Sequence, residues 1–472
     1  MFFNESGTAY ITSRETVSYK EMYERANTIA SYIPERSLVF FIATNTSESL
    51  EAYVGFLNKH VIPLMIPSTL DTKLMVKLLD DYQPEFIWCP RSYALLENTD
   101  LLFSYGSYSL YITRYNNRII PDAELALLLS TSGSTGSPKY IRLSYRNIKS
   151  NALSIADYQS LSSKDRAITT LPLSYSYGLS IINSHLLVGA SIVLTDSTLF
   201  DKEFWCLLQN NRVTNFGGVP YTYTMLKRLR FEQMALPSLR FISQAGGRLG
   251  FELHKEFAGI CANKGIDFFV MYGQTEATAR ISYLPASVSS EHIDKIGIPI
   301  PGGRFELIDV DGSLITRPDI SGELIYYGDN VALGYALDRK DLEKGNEWNG
   351  RLETGDIATF DEKGFFRIVG RKKRFLKIYG NRVNLDEIEN LLLSHNVVAA
   401  CTGQDDAIQV FVESSKNPEA QNRHSLNSPK EIQHFLAELT GLHTAAIFVS
   451  FLETLPRTDS GKLSYVELEA LC

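Results

Sequence analysis

The sequence STSGSTGSPK, residues 130–139, directly follows the apolar run 125–129, which predicts a buried strand. Glycines in such a loop let successive backbone N–H groups converge on an anion, and hydroxyl groups and an ammonium group add further donors. The stretch therefore predicts a phosphate-binding loop. It differs from the Walker loop of the common nucleoside triphosphatases, because Pro138 stands directly before Lys139. A flexible linker has a similar composition, so the other motifs of the chain must decide between the two.

The composition limits the class of protein. Of the 472 residues, 44% are hydrophobic and 21% are charged, as in soluble globular proteins, and the length predicts two or three domains. A net charge of −8 argues against a nucleic-acid partner, because binding to a phosphate backbone needs clustered Lys and Arg. The five cysteines have no CxxC spacing, which argues against a zinc site or a disulfide framework. With no signal-peptide pattern at its start, the sequence predicts a cytoplasmic protein.

Residues 167–195 form the longest uncharged stretch, which is long enough to suggest a membrane span. Pro172, Asn183 and His185 interrupt it, so we expect buried strands and a helix there instead of a membrane span. Its segment LPLSYSYGLS, residues 171–180, combines aromatic residues with a glycine and carries no charge. Such a segment is typical either of the wall of an apolar pocket or of ordinary core packing.

Strands and helices alternate in the first part of the chain. Apolar runs at 38–42 and 61–66 flank a helical pattern at about 47–57, and this βαβ unit predicts a parallel sheet covered by helices. Ser18 and Glu21 have the spacing of a capping box at the start of an earlier helix.

Two later strands end in glycine followed by polar groups. They are FISQAGGR, residues 241–248, and FFVMYGQTE, residues 268–276. Ligands of open α/β sheets bind beyond the carboxyl ends of the strands, so we expect both ends to meet the phosphate-binding loop at one site. Glu276 is the acid near this site, and its carboxylate suits a Mg²⁺ ion that bridges phosphates.

Shorter strands and turns begin after about residue 285. Candidate strands at 304–308 and 322–326 and a hairpin at 360–366 predict an antiparallel subdomain. The run RKKR, residues 371–374, follows, and alone it would be a solvated patch of charge.

A small α+β unit completes the chain. We expect a helix at 385–394 capped by Asn384, a strand at 407–413 and a helix at 429–439 capped by Ser428. The loop PRTDSGK, residues 456–462, carries one lysine, which alone would be an ordinary surface lysine.

Together these stretches resemble the adenylate-forming superfamily, which includes acyl- and aryl-CoA synthetases, carrier-protein adenylation domains and luciferases. The motifs that carry the resemblance are residues 131–139, 272–276, 354–356, 370–373 and 457–462. The resemblance implies an α/β fold with a large N-terminal AMP-binding domain, residues 1–370, of parallel-rich sheets, helices and a small antiparallel subdomain. A small mobile α+β lid, residues 371–472, would follow.

The resemblance further implies an AMP-forming acid–thiol ligase with ATP and Mg²⁺ as cofactors. A carboxylic acid would be joined to AMP with release of pyrophosphate, and the acyl group would then pass to a thiol. Lys462 would supply positive charge to the carboxylate and the α-phosphate in the transition state. Thr275 would contact the α-phosphate, and Glu276 would hold Mg²⁺.

The other roles that the resemblance implies concern the nucleotide and the lid. Asp356 would bind the ribose hydroxyls with support from Arg371, Tyr272 would stack on adenine, and Gly247 and Arg248 would line the adenine slot. The lid would turn about Lys373 and bring the strand at Gly380 to a thiol tunnel. The full set of ATP- or AMP-binding residues is Thr131, Ser132, Gly133, Ser134, Thr135, Gly136, Lys139, Gly247, Arg248, Tyr272, Gly273, Gln274, Thr275, Asp356 and Arg371.

The acyl pocket is assigned to Tyr175, Tyr177 and Gly178. No acid occurs between residues 171 and 183, which disfavours an α-amino acid substrate, because burying its ammonium group without an anionic partner is costly. Arg248 stands where the family commonly has a small or acidic residue, and it would either recognise an acidic group or pack over adenine.

Three functions remain open. The first is an acid–thiol ligase that uses CoA or the phosphopantetheine of an acyl or peptidyl carrier protein. The second is a free-standing amino-acid-activating enzyme that loads a carrier protein. The third is a nucleotide-binding module without catalysis, against which the presence of Glu276, Asp356 and Lys462 argues.

Overall fold

The computed structural model describes residues 6–93, 99–115, 119–131, 139–379, 381–395, 397–414, 426, 428–457 and 463–471. These residues fall into two compact units. The first unit contains the chain up to Phe305 together with Tyr326–Leu352, and the second contains Glu306–Ile325 and the chain from Glu353 onward.

Helices and strands alternate through most of the described chain. The α-helices are α1 (Tyr19–Ala30), α2 (Ser47–Asn58), α3 (Thr72–Tyr82), α4 (Tyr145–Tyr158), α5 (Ser176–Leu187), α6 (Lys202–Asn210), α7 (Pro220–Arg228), α8 (Phe251–Lys264), α9 (Leu385–Ser394), α10 (Pro429–Thr440) and α11 (Tyr465–Glu469). The strands up to residue 299 are β1 (Thr8–Ile11), β2 (Thr16–Ser18), β3 (Leu38–Ala43), β4 (Ile62–Pro67), β5 (Phe86–Pro90), β6 (Thr99–Tyr105), β7 (Tyr108–Thr113), β8 (Leu125–Ser130), β9 (Tyr140–Ser144), β10 (Arg166–Ile168), β11 (Ser191–Val193), β12 (Asn215–Gly218), β13 (Phe241–Gln244), β14 (Asp267–Tyr272), β15 (Ser282–Leu284) and β16 (Ile298–Pro299). The later strands are β17 (Arg304–Ile308), β18 (Leu314–Ile315), β19 (Gly322–Tyr327), β20 (Gly334–Ala336), β21 (Arg351–Phe360), β22 (Phe366–Arg371), β23 (Phe375–Ile378), β24 (Asn381–Asn384), β25 (Ala399–Gln404), β26 (Ala407–Glu413) and β27 (Ile447–Leu452).

Two mixed sheets form the first unit. One has the strand order β20-β9-β8-β4-β3-β5-β7-β6, and the other has the order β16-β15-β14-β13-β12-β10-β11-β1-β2. The pairs β3–β4, β3–β5 and β4–β8 are parallel, as the βαβ pattern predicts. A common core joins both sheets to α1, α2, α4 and α5. The predicted parallel-rich architecture is therefore confirmed.

Local signals in the sequence account for the helix ends. At α1 the Ser18 side chain accepts from the backbone N–H of Glu21, and the Glu21 carboxylate accepts from the backbone N–H of Ser18, which completes the capping box. Ser144 caps α4 in the same way with Asn147. The uncharged stretch 167–195 contains the last two residues of β10 and all of α5 and β11, as expected. No helix among the described residues has the length and apolar character needed to cross a membrane.

The second unit is built from smaller sheets. An antiparallel sheet has the order β18-β17-β19-β21-β22, which confirms the predicted antiparallel subdomain. The sheet β25-β26-β27 packs with α9 and α10 around a separate apolar core. Helix α9 has the predicted bounds, and the Asn384 side chain caps it by accepting from the backbone N–H of Asp386.

Candidate active site

Two strand ends of the first unit form the floor of the site. Strands β13 and β14 are parallel neighbours, with Gln244 opposite Val270, so the segments that follow them leave the same edge of the sheet. Gly246 has a φ of +82°, and a Cβ atom there would lie 2.4 Å from the Tyr175 hydroxyl oxygen. A glycine is therefore needed where this loop passes the predicted acyl pocket.

Thr275 begins the short 3₁₀ turn after β14 and is buried. Its Oγ1 atom lies 3.1 Å from Oγ of Ser176, the first residue of α5. Gly273 lies close to the returning chain, since a Cβ atom there would be 1.7 Å from the carbonyl oxygen of Ala279. The turn thus presents a threonine hydroxyl next to the start of the helix that carries the predicted acyl wall.

Glu276 is held by a tyrosine that the sequence analysis missed. The Tyr335 hydroxyl donates to Oε1 of Glu276 at 3.1 Å. Burial raises the pKa of Tyr335 and the Glu276 carboxylate raises it further, so the hydroxyl stays protonated and remains a donor. The Lys139 Nζ lies 5.5 Å from the centre of the Tyr335 ring, within range of a cation–π contact. One tyrosine therefore connects the predicted metal ligand to the lysine of the phosphate-binding loop.

The ends of the phosphate-binding loop are close together. Strands β8 and β9 pair in antiparallel fashion with Ser130 opposite Tyr140, and the backbone N–H of Thr131 donates to the carbonyl oxygen of Lys139 at 2.9 Å. The predicted phosphate-binding residues between them, Ser132, Gly133, Ser134, Thr135 and Gly136, lie outside the described residues.

The predicted acyl wall lies at the start of α5. The Tyr177 hydroxyl donates to the carbonyl oxygen of Ser243 at 2.8 Å, and its ring meets Tyr175 edge-on with 6.3 Å between the ring centres. A Cβ atom at Gly178 would lie 2.5 Å from the carbonyl oxygen of Pro172, so this position requires a glycine. Burial raises the pKa of Tyr175 to about 12 and also raises the pKa of Tyr177. Both tyrosines are thus neutral hydroxyl donors at neutral pH.

A buried arginine, Arg280, lies against the Tyr177 ring of this wall, and no sequence motif indicated it. Its guanidinium carbon lies 4.1 Å from the centre of the Tyr177 ring. No local sequence pattern predicts this contact. Arg280 follows β14 and Tyr177 lies in α5, so the two residues meet through tertiary packing.

The residues predicted for the adenine slot have partners within the chain. The Gln274 side-chain amide donates to the Tyr272 hydroxyl at 3.1 Å. Arg248 donates to both carboxylate oxygens of Asp294, at 2.8 Å and 2.6 Å. Gly247 passes close to Pro220, whose ring carbon would lie 3.1 Å from an added Cβ atom. Arg248 therefore already has an acidic partner of its own.

The predicted ribose-binding pair lies in the second unit. Asp356 is buried in β21 opposite Arg371 of β22, and the Arg371 Nε lies 3.3 Å from Oδ1 of Asp356. The Asp356 backbone N–H donates to Oγ1 of Thr354, which in turn donates to the carbonyl oxygen of Leu324. Asp356 and Arg371 are therefore in contact, and their role at a ribose stays a prediction.

The basic run 371–374 is not simply a patch of solvated charge. Lys372 pairs with Glu323 at 2.7 Å. Arg374 is largely buried, where it bonds to Asp386 and Glu389 and stacks over the Tyr465 ring. The expectation of solvated charge is therefore wrong for Arg374, whereas the Lys372 side chain stays more than half exposed to solvent beside its carboxylate partner. The backbone of Lys373, the predicted hinge, lies in the 3₁₀ turn Lys372–Arg374, whereas Gly380 and Lys462 lie outside the described residues.

Known proteins resemble this chain over most of its length. A sequence profile of the family described as AMP-binding enzyme matches residues 4–336. The 2-succinylbenzoate–CoA ligase of Bacillus cereus is 30% identical over 354 residues, which cover 74% of this chain and 70% of that protein. The medium-chain fatty-acid–CoA ligase of Escherichia coli is 26% identical over 350 residues, covering 72% and 60% of the two chains.

A solved structure has the same fold. The o-succinylbenzoate coenzyme A synthetase MenE of Bacillus subtilis, in complex with ATP and magnesium ion, superposes with a TM-score of 0.77 at 22% identity, covering 98% of this chain and 97% of that one. Since the family profile and the Bacillus cereus relative each span well over half of the sequence, the chain belongs to the family of AMP-binding enzymes and is a ligase of the acyl-CoA synthetase type.

Proposed function

We propose that this enzyme adenylates a carboxylic acid with ATP and transfers the acyl group to CoA. The observation that carries the proposal is the group formed by Thr275, Glu276, Tyr335 and Lys139, which places a hydroxyl, a carboxylate and an ammonium group around one strand end. The relatives named as CoA ligases support CoA as the acceptor.

The first half-reaction needs positive charge and hydrogen-bond donors, because a carboxylate must approach a polyanion. An oxygen of the acid attacks the α-phosphorus of ATP, and the bond to pyrophosphate breaks. Thr275 would contact the α-phosphate, and Lys462 would stabilise the charge that develops in the transition state. The loop 131–139 would hold the β- and γ-phosphates as pyrophosphate forms.

Glu276 fits a magnesium ion. Proteins usually bind Mg²⁺ with one or two carboxylates together with substrate phosphates, and Glu276 offers one carboxylate beside the phosphate-binding loop. The Tyr335 hydroxyl donates to Oε1 of Glu276 and would help to orient the carboxylate that holds the metal. Bound there, Mg²⁺ would neutralise charge on the phosphates.

The second half-reaction breaks the bond between the acyl carbon and AMP. The thiol of CoA attacks that carbon, its proton passes to solvent, and AMP leaves. We propose a lid that starts near Gly370 and turns about Lys373 between the two steps, with Asp356 and Arg371 holding the ribose. With such a lid, Lys462 would act in the first step, and the strand at Gly380 would line the thiol tunnel in the second.

The experiment that tests the proposal offers ATP, Mg²⁺ and a panel of carboxylic acids with CoA and, in parallel, with a phosphopantetheinylated carrier protein. Transfer to CoA is expected. Adenylation followed by transfer only to the carrier protein would make the enzyme a loading enzyme instead. Activation restricted to α-amino acids would favour the amino-acid-activating alternative, and no pyrophosphate exchange with any acid would contradict catalysis altogether.

A further inference from the structure

Arg280 is a buried cation with one nitrogen atom to which no described residue is hydrogen-bonded. The residue is 1% exposed. Its Nε donates to Oγ of Ser180 at 3.2 Å, and its Nη1 lies 3.4 Å from the Tyr158 hydroxyl and also contacts the sulfur of Met271. Its Nη2 has no hydrogen-bond partner among the described residues. A buried donor without a partner is uncommon in folded proteins, because it loses its bonds to water without replacement.

Its charge also has no carboxylate partner in the part of the chain that the structure describes. Among the described residues, the partners of Arg280 are hydroxyl groups, a thioether and the ring of Tyr177, and none of them is a carboxylate. The other deeply buried arginines differ in this respect. Arg142 pairs with Glu347, and Arg339 pairs with Glu85. A buried charge without a counter-charge is costly, so an anion from outside the chain is the expected partner of Arg280.

Arg280 and Thr275 contact the same helix, α5. Helix α5 contacts Thr275 through Ser176 and Arg280 through Ser180. Residues four apart lie on the same face of a helix, one turn from each other, at a separation of about 6 Å. The guanidinium therefore lies roughly one helical turn beyond the threonine that would meet the α-phosphate, on the side of the acyl wall.

We propose that Arg280 binds a second carboxylate of the acid substrate, so that the enzyme activates short dicarboxylic acids. The inference rests on the proposed function and adds the substrate class. A carboxylate can accept from Nη1 and Nη2 together, and this paired geometry is the strongest that a guanidinium offers. Such a carboxylate would accept a hydrogen bond from Nη2, which has no partner among the described residues. It would also replace the Met271 sulfur as the acceptor for Nη1, and this sulfur is a weak acceptor on a flexible side chain.

The test compares each diacid with its own monomethyl ester, which has the same chain and lacks the second charge. Succinate, glutarate and adipate are offered with their monoesters, and kcat/KM is measured for formation of the CoA thioester. The wild-type enzyme is expected to prefer the best diacid over its monoester by about 10- to 100-fold, as a charge-assisted hydrogen bond contributes. Equal values for diacids and monoesters would overturn the inference.

Substitutions of Arg280 test whether this residue causes the preference for diacids over monoesters. In Arg280→Met the ratio of the two kcat/KM values is expected to fall to near one, and Arg280→Lys, which keeps the charge without the fork, should give an intermediate ratio. A ratio unchanged in Arg280→Met would overturn the inference. If a variant fails to fold, the wild-type ratio still decides.

Different results would contradict the role of Arg280 and the proposed function. Efficient activation of monocarboxylic acids or monoesters without preference for diacids contradicts only the role of Arg280. Absence of pyrophosphate exchange with every acid contradicts the proposed function, and the substrate class with it.

Discussion

The two ends of the site differ in how they are built. The reaction end, formed by Thr275, Glu276, Tyr335 and Lys139, brings together polar groups whose partners are other groups of the site. The acyl end, formed by Tyr175, Tyr177 and Arg280, is largely buried and leaves one guanidinium nitrogen without a partner among the described residues. Under the proposals above, the chemistry and the choice of acid would depend on separate groups. Changes at the reaction end should lower the rate with every acid, and changes at the acyl end should alter which acid is used.

The largest effect is expected from Lys462→Ala. Loss of a charge that acts in the transition state should lower adenylation by about 10²–10³-fold, and by a similar factor for every acid. Pyrophosphate exchange measures it directly. Lys430→Ala, which removes an exposed lysine from the first turn of α10, is the matched control and should retain wild-type exchange. Full exchange activity in Lys462→Ala would show that this lysine does not act in adenylation.

Glu276→Gln should have the next largest effect. The amide keeps the size of the side chain and removes the charge that would hold Mg²⁺, so the Mg²⁺ concentration for half-maximal exchange should rise by about 10-fold or more. The increase should be the same for diacids and monoesters. Glu362→Gln, at an exposed turn of the hairpin after β21, serves as the control. An unchanged Mg²⁺ requirement in Glu276→Gln would show that Glu276 does not bind the metal.

Gly246→Ala tests the acyl end. An added Cβ atom would meet the Tyr175 hydroxyl at 2.4 Å, and the positive φ adds a backbone strain of about 1–2 kcal/mol. Thermal denaturation should show lower stability, and the order of preference among acids should change because Tyr175 must move. Gly259→Ala, within α8 and with open space around its Cβ position, should be neutral or slightly stabilising. If the order of preference among acids is unchanged in Gly246→Ala, Tyr175 does not line the acyl pocket.

Tyr335→Phe should give the smallest effect. It removes the hydrogen bond to Glu276, worth about 1 kcal/mol, and keeps the ring beside Lys139. The Mg²⁺ requirement should therefore rise a few-fold while exchange at saturating Mg²⁺ is largely retained. Tyr335→Leu, which also removes the ring, should weaken ATP binding in addition. Identical kinetics for the two variants would argue against a role of the ring.

Much of the fold follows from local signals in the sequence. The caps at Ser18, Ser144 and Asn384 mark helix starts because their side chains bond to backbone groups only a few residues away. The continuous apolar runs of β3 and β4 likewise predict buried parallel strands, because each run is visible within its own short segment.

The site was predictable only in part. Thr275 and Glu276 lie in one contiguous motif after β14, so their position could be read from the sequence. Tyr335 reaches Glu276 from β20 of the other sheet, and Arg280 reaches Tyr177 by tertiary packing. The carboxylates that bind Arg374 are likewise 12 and 15 residues away in the chain, which is why its burial was not foreseen. Contacts between distant segments leave no local pattern to detect.

The oxygen atoms of the acid report most directly on an acyl-adenylate intermediate. If the acid attacks the α-phosphorus of ATP, one carboxylate oxygen stays with the phosphate when CoA displaces AMP. With an acid labelled with ¹⁸O in its reacting carboxylate, and with CoA, ATP and Mg²⁺ present, mass spectrometry should find one ¹⁸O atom in each AMP formed. Unlabelled AMP, or ADP and phosphate as products, would contradict an acyl-adenylate intermediate and the proposed function built on it.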